Sequence, residues 1–276
     1  MQKILITYAD TKFELSKRQL LKEAKALGFF DRLIGYGPKD LPTFINASPL
    51  MAYKRGGGYW CWKPWIIWQT MQKYPEAIVV YIDAGCILHN SSEWNDWFQL
   101  METHDALVTH YRENVDYGWQ NTYPGRALSP AIEHWTKRNT LSYFDIIFGN
   151  TEWHQANKVW AGFVMAKNNS RLIKEWLDIT LFYPRYVMDP IGADTEIQNK
   201  EFVDHRHDQS ILTPLAYWLQ KQDQSIVAII PETGESEIDA AIQAARRILK
   251  PIPLKTRIVN LIKKLLGADL YRKLYH

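Results

Sequence analysis

Two short stretches carry residue types that can do chemistry. Asp83 closes the apolar run AIVVYID and is followed by Ala84 and Gly85, and the run HRHDQ spans His205 to Gln209. In an open α/β sheet, ligands bind beyond the carboxyl ends of the strands, so a carboxylate that ends a strand stands at that rim. There it can hold a divalent cation, and such a cation neutralises a diphosphate. Gly85 would let a ligand approach the backbone closely. His205 or His207 could add an imidazole to the donor set, which suits manganese as well as zinc. Each has a plainer reading too. Asp83 can simply form a turn after its strand, and Asp208 can cap the helix that follows.

A third stretch, RGGGYWCWKPWIIW from Arg55 to Trp68, gathers two cations, three glycines and five aromatics. Arg55 and Lys63, like Arg206, can neutralise a diphosphate without a metal. The glycines at 56–58 would let the chain bend close to a phosphate or ribose. Tyr59, Trp60 and Trp62 offer flat faces with polar tips, suited to walling a donor or acceptor ring. Trp65 and Trp68 fall on a helix and read as core.

The elements that must position these residues follow from periodicity. KILITYA reads as a strand and FELSKRQLLKEAKALGFF as a helix closed by Gly28. FDRLIGYG is a second strand, giving the strand, helix, strand order of a parallel pair. Pro64 can open the helix PWIIWQTMQKY, since its missing N–H is not needed in a first turn. AIVVYID reads as a strand buried on both faces. The segment from Tyr111 to His154 is polar and punctuated by glycine and proline, which predicts loops and short helices over the sheet. KVWAGFVMAKN is a further strand. SRLIKEWLDITLFY is a helix with Ser170 as its cap, and helical spacing resumes from Ser210.

ITYADTKF, GGGYWCWKP, YIDAGC and HRHDQSIL, in this order, resemble a group of bacterial GT-A fold glycosyltransferases over roughly residues 3 to 220. RHDQSIL is also similar to the DQD-containing segment of retaining hexosyltransferases. The resemblance implies a GT-A-like (Rossmann-like) fold, with a mixed, mostly parallel sheet flanked by helices. It implies a catalytic domain over residues 1–240. It also implies transfer of a hexose, galactose first, from a nucleotide sugar, UDP first, with retention. Asp208 would grip sugar hydroxyls and Gln209 would lie by the reacting carbon. Thr7, Tyr8 and Asp10 would hold the base or ribose. Trp160, Ala161 and Gly162 would face the donor sugar and acceptor. The family's D-x-D motif stands here as Asp83-Ala84-Gly85, so the second carboxylate is missing. The resemblance implies Mn²⁺ or Mg²⁺, with Asp83, His207 and His205 as ligands.

Charge adds a partner. From Ala245 onward the chain carries a net +8 against +3 for the whole, so the rest is acidic. Within residues 241–276, Ile258, Leu261, Ile262 and Leu265 share a helical face opposite Lys263 and Lys264. This reads as an amphipathic anchor for an anionic membrane surface, or as a docked helix with a solvated basic face. Nucleic acid is not expected, because the remainder is acidic and holds no recognition motif. With two cysteines in no framework and no signal or spanning segment, a cytoplasmic protein is expected, peripheral on the inner membrane face. The acceptor would be a glycan or glycolipid of lipopolysaccharide or capsule. Two other readings stay open: a non-catalytic carbohydrate-binding module, and an inverting transferase with a carboxylate as general base. A nucleotidyltransferase would need glycines directly after the first strand, where YADTKF has none.

Overall fold

The computed structural model describes residues 1–195, 197–235, 237 and 240–250. Six strands form the main sheet: β1 (Gln2–Tyr8), β2 (Arg32–Tyr36), β3 (Ala77–Ile82), β5 (Ala106–His110), β6 (Val159–Ala166) and β7 (Val227–Pro231). Their order is β2-β1-β3-β6-β5-β7. Only β6 runs against its neighbours, so five strands share one direction. Two short strands, β4 (Ile87–Leu88) and β8 (Ile242–Gln243), pair antiparallel at the side. Among the described residues, six helices of eleven or more residues cover the sheet: α1 (Glu14–Leu27), α2 (Trp62–Lys73), α3 (Glu93–Thr103), α4 (Arg138–Phe148), α5 (Arg171–Phe182) and α6 (Asp208–Gln222). This is the mixed, mostly parallel α/β architecture expected.

The alternation of side chains along each strand builds two cores. Ile4, Ile6, Val79 and Tyr81 face one side, where they pack with Ile66 and Ile67 of α2, Trp176 of α5 and Ile211 of α6. Leu5, Ile78, Val80 and Ile82 face the other, against Leu20 of α1 and Trp94, Trp97 and Phe98 of α3. Burial on both faces is why β3 and β6 read as unbroken apolar runs. The chain's 12 tryptophans go largely into these cores, with Trp94, Trp135 and Trp176 fully enclosed. Cys61 and Cys86 are buried free thiols.

Gly28 closes α1 in the left-handed conformation, as its position implied. Two caps differ from expectation. Ser170 occupies the N-cap of α5, but its hydroxyl makes no capping bond and is buried without a partner. Asp208 is the first residue of α6 rather than its cap. His207 holds the cap position at φ 48°, ψ −105°, and the helix starts two residues before Ser210.

The boundary expected at residue 240 is not where the chain leaves the body. Ala241 and Ile242 fill the core on the α1 and α3 face. Arg247 forks onto Glu23 at 2.8 and 3.0 Å, and the Leu249 N–H donates to Ser16 Oγ at 3.0 Å. The amphipathic stretch from Ile258 to Leu265 lies outside the described residues. Among the described residues no helix is long and apolar enough to cross a membrane.

Candidate active site

A cleft of about 750 Å³ opens where β1 and β3 end. One wall begins in the glycine run. Gly56 to Trp60 all have positive φ, so five residues form a left-handed turn, closed by Tyr59 N–H to Arg55 O and Trp60 N–H to Gly56 O. For a residue with a Cβ this conformation costs about 1–2 kcal/mol, which explains three glycines in a row. A Cβ on Gly56 would also sit 2.3 Å from the Trp60 indole, and one on Gly58 would sit 2.5 Å from Met51 Sδ. The turn lays Trp60 along the cleft and hands the chain to α2, whose second residue is Lys63.

Lys63 is almost fully enclosed, yet its ammonium lies at the cleft floor. It donates to Asp208 Oδ2 at 2.6 Å and to the Ala161 carbonyl at 3.0 Å, and stands 3.5 Å from Asp83 Oδ1. The Tyr81 hydroxyl also donates to Asp83 Oδ1. Burial opposes the Lys63 charge, but Asp208 and Asp83 outweigh it and hold its pKa above the usual lysine value. Burial raises the Asp208 carboxyl, with Lys63 pulling against it. Asp208 Oδ1 accepts the Gln209 N–H, while Gln209 Oε1 is buried with no protein hydrogen bond, beside the cleft.

Above this floor lies a second network. Arg55 pairs with Asp204 at 2.9 Å and lies 3.5 Å from Asp189. The Tyr59 hydroxyl donates to Asp189 at 2.8 Å, and its ring stacks on His207 at 4.2 Å. Burial, then Asp189, pushes the Tyr59 phenol up to about 12. His207 donates Nδ1–H to the Val187 carbonyl at 2.8 Å, which leaves Nε2 as the bare nitrogen. Burial, with Arg55 adding to it, lowers the His207 pKa to about 4. Arg55 lines the cleft with its guanidinium held by these carboxylates.

The residues present do not fit the expected divalent cation. His205 accepts the Lys137 N–H at Nδ1 and donates from Nε2 to the Tyr186 carbonyl, so neither nitrogen is available. It is fully buried and does not line the cleft. His207 has its bare nitrogen 3.5 Å from Asp189, not beside Asp83 in any shared donor set. Among the described residues no three His, Cys, Asp or Glu side chains gather closely enough to hold a metal ion.

Of the other expected residues, Tyr8, Asp10, Trp60, Trp62, Ala84, Gly85, Trp160 and Gly162 line the cleft with Lys63, Asp83, Asp208 and Gln209. Their settings refine their roles. Tyr8 stacks on Trp62 at 3.8 Å, so one face of each ring is already used. Asp10 Oδ1 accepts the N–H groups of Lys12 and Phe13 and forms the turn into α1. The Trp160 indole lies over Gly162, where a Cβ would fall 2.6 Å away. Thr7, Tyr59 and Ala161 are buried behind the surface rather than in the cleft, because successive strand residues face opposite sides and Tyr59 packs under His207. Ala161 takes part only through its carbonyl.

No individual residue of the far wall was anticipated. It comes from the loop after β5, with Tyr111, Tyr117, Trp119 and Tyr123, and from Lys158, Glu235 and Arg246. Lys158 is 2% exposed, and its ammonium sits 3.1, 4.4 and 5.0 Å from the ring centres of Tyr111, Trp119 and Trp135. Arg246 Nη2 donates to both Glu235 carboxylate oxygens, at 3.0 and 3.1 Å, and Glu235 also accepts the Tyr111 hydroxyl at 2.9 Å. The clustering of aromatics between Tyr111 and Trp135 was the one sequence signal available for this wall.

No protein-family model matches the chain, and no curated protein matches it in sequence. Among solved structures it is similar to a glycosyltransferase involved in the glycosylation of the major capsid of PBCV-1 (TM-score 0.37, 8% identity, 74% of this chain and 81% of that one). It is also similar to mouse xyloside xylosyltransferase 1 in its apo form (TM-score 0.41, 11% identity, 83% and 85%). A third is the galactosyltransferase LgtC in complex with donor and acceptor sugar analogues (TM-score 0.36, 12% identity, 92% and 99%). Identities of this size assign no residue role.

Proposed function

We propose that this chain is a retaining glycosyltransferase that moves a hexose from a nucleotide sugar to a surface-glycan or glycolipid acceptor. UDP-galactose is the first donor to try. The observation that carries the reading is the joining of Asp83, Lys63 and Asp208 at the floor of one cleft, with the Gln209 carbonyl oxygen unpaired beside them. Asp208 has lone pairs left for sugar hydroxyls, and Lys63 fixes its orientation. Trp60, Trp62 and Tyr8 offer apolar faces to the rings of the donor.

Gln209 is an amide and a poor nucleophile, so a covalent sugar on it is not part of this reading. The reaction runs on one face of the sugar. The bond from the anomeric carbon to the diphosphate breaks, the acceptor oxygen bonds to that carbon, and the acceptor proton passes to the departing diphosphate. The unpaired Gln209 oxygen faces the positive charge that develops on the ring, where a fixed dipole acts with little reorganisation.

The acceptor enters past Tyr117, Trp119 and Tyr123. Binding to an anionic membrane surface through the basic residues beyond 250 belongs to the same proposal. Cutting the chain after Lys250, not after residue 244, keeps the Arg247 and Leu249 contacts and isolates that question. Loss of sedimentation with anionic vesicles is expected, and unchanged sedimentation would remove the membrane role.

The deciding experiment is a thermal-shift panel of UDP-, GDP-, CMP- and dTDP-sugars, followed by NMR of the product from the donor that binds. A ligand specific to the folded state raises Tm by mass action. An α-glycoside from an α-linked donor is expected. A β-glycoside would replace retention by inversion, and silence of the whole panel would remove the transferase reading.

A further inference from the structure

The site has one carboxylate where a cation-binding motif has two, and the structure shows what fills the difference. A Cβ on Gly85 would lie 3.2 Å from Arg246 Cα and 3.2 Å from Arg247 N, and the Arg247 N–H donates to the Gly85 carbonyl at 2.8 Å. A side chain at position 85 would therefore press on backbone that is itself pinned. The residue laid across this spot is an arginine, in the left-handed conformation at φ 48°, with its side chain largely exposed along the cleft.

Lys158 is the second cation. Its side chain is 2% exposed, its ammonium has three donors, and none finds an acceptor among the described residues; three ring faces pack around it at the cleft. The ammonium is not among the polar atoms sealed from solvent; it opens on the cleft, where an oxygen of an anionic ligand can accept from it. Burial, with Arg206 and Arg246 adding to it and Glu235 and Glu232 opposing, holds its pKa well below the usual lysine value. A bound anion would reverse that pressure.

We propose that Arg246 and Lys158, in place of a divalent cation, neutralise the diphosphate of the donor, so that nucleotide binding and transfer need no added metal. This rests on the nucleotide-sugar reading above. In the transfer step both cations stabilise the diphosphate as its bond to the anomeric carbon breaks and it takes the acceptor proton. Arg246 holds Glu235 through Nη2 alone, so its other guanidinium nitrogens can donate to phosphate oxygens while that pair stays in place.

The test uses the full chain with UDP, GDP and uridine as probes, by calorimetry in EDTA and again in Mn²⁺. UDP or GDP should bind equally well in both. Arg246→Ala and Lys158→Met should each weaken the diphosphate by about ten-fold or more and leave uridine unchanged. Arg246→Lys should recover part of the loss, which separates charge from folding. Diphosphate binding only in Mn²⁺, or full affinity in both variants, would overturn the inference while leaving the transferase reading intact. No binding of any nucleotide in either condition would overturn both.

Discussion

On one wall of the cleft Lys63 meets two carboxylates and a carbonyl; on the other Lys158 meets three aromatic rings and no acceptor among the described residues. Both lysines are buried to the same 2% exposure, so burial alone does not set their roles. Partners do. A buried charge with its partners in place holds a geometry, and its removal strands those partners. A buried charge without partners adds nothing to the free fold and is explained by what binds there. The Lys63 wall is thus a pre-formed framework, and the Lys158 wall is the half of an interaction that a ligand completes.

The largest expected effect is on the paired wall. Lys63→Met leaves Asp208 facing Asp83 with no cation between them, and breaking such a buried pair costs about 3–5 kcal/mol. Urea unfolding at neutral pH should show that loss, and transfer should vanish. A loss under about 1 kcal/mol would mean the framework is held by something other than this ion pair.

Acid should act next, through His207. Its folded pKa of about 4 lies below the ordinary 6.5, so folding favours the neutral ring. The stability this supplies is fully present above 6.5 and lost as pH falls toward 4. A shift of this size corresponds to about 3 kcal/mol, of which roughly 2 disappears between pH 7.5 and 5. His207→Gln should unfold with that much less acid sensitivity than the native chain over this interval. Equal sensitivity would place the acid response in other groups.

These two side chains also show how far the sequence could be read. Asp83 and Lys63 were legible because a strand end and a helix start are marked by local pattern, and both elements bring their termini to the same sheet edge; Asp208 and Gln209 were named through the family resemblance instead. The two-sided burial of β3 was likewise legible from local pattern. What pattern does not encode is partnership across long separations. Lys63 and Asp208 lie 145 residues apart, and Arg55 and Asp204 lie 149 apart. His205 looked like a ligand because its neighbours are chemical, but Lys137 and Tyr186 backbone groups occupy it. Gly85 looked like room for a ligand, but the chain of Arg246 occupies that room. The cut expected at residue 240 followed charge, whereas Ile242 follows the core.

An effect of similar size separates packing from conformation in the turn that delivers Lys63. Gly58→Ala meets both a φ of 97° and Met51, with 2.5 Å to its sulfur and 3.1 Å to its Cα. A loss of about 2–3 kcal/mol is expected from strain and overpacking together. Gly149→Ala, at φ 68° in open space, carries conformational strain alone and should lose about 1 kcal/mol. Equal losses would show that Met51 yields and that the glycine run is needed only for its backbone.

The smallest expected change in stability is at Lys158, and it is the sharpest test of the contrast between the walls. Methionine has a similar length and needs no acceptor, so Lys158→Met removes an ammonium with no protein acceptor among the described residues and keeps the contacts with Tyr111, Trp119 and Trp135. Replacing a buried polar group by an apolar one of the same shape is nearly neutral or stabilising when no partner is stranded. Glu235, the carboxylate that acts most strongly on Lys158, keeps its bonds to Arg246 and the Tyr111 hydroxyl, so it is not left alone. The variant should therefore unfold at the native urea concentration or a slightly higher one, within about 1 kcal/mol. A desolvated ammonium over aromatic faces can be worth about 2 kcal/mol, and a loss of that size would mean that the rings hold Lys158 as a structural cation. In that case the two walls would differ in the kind of partner they offer a lysine, and not in whether a ligand is needed to complete one of them.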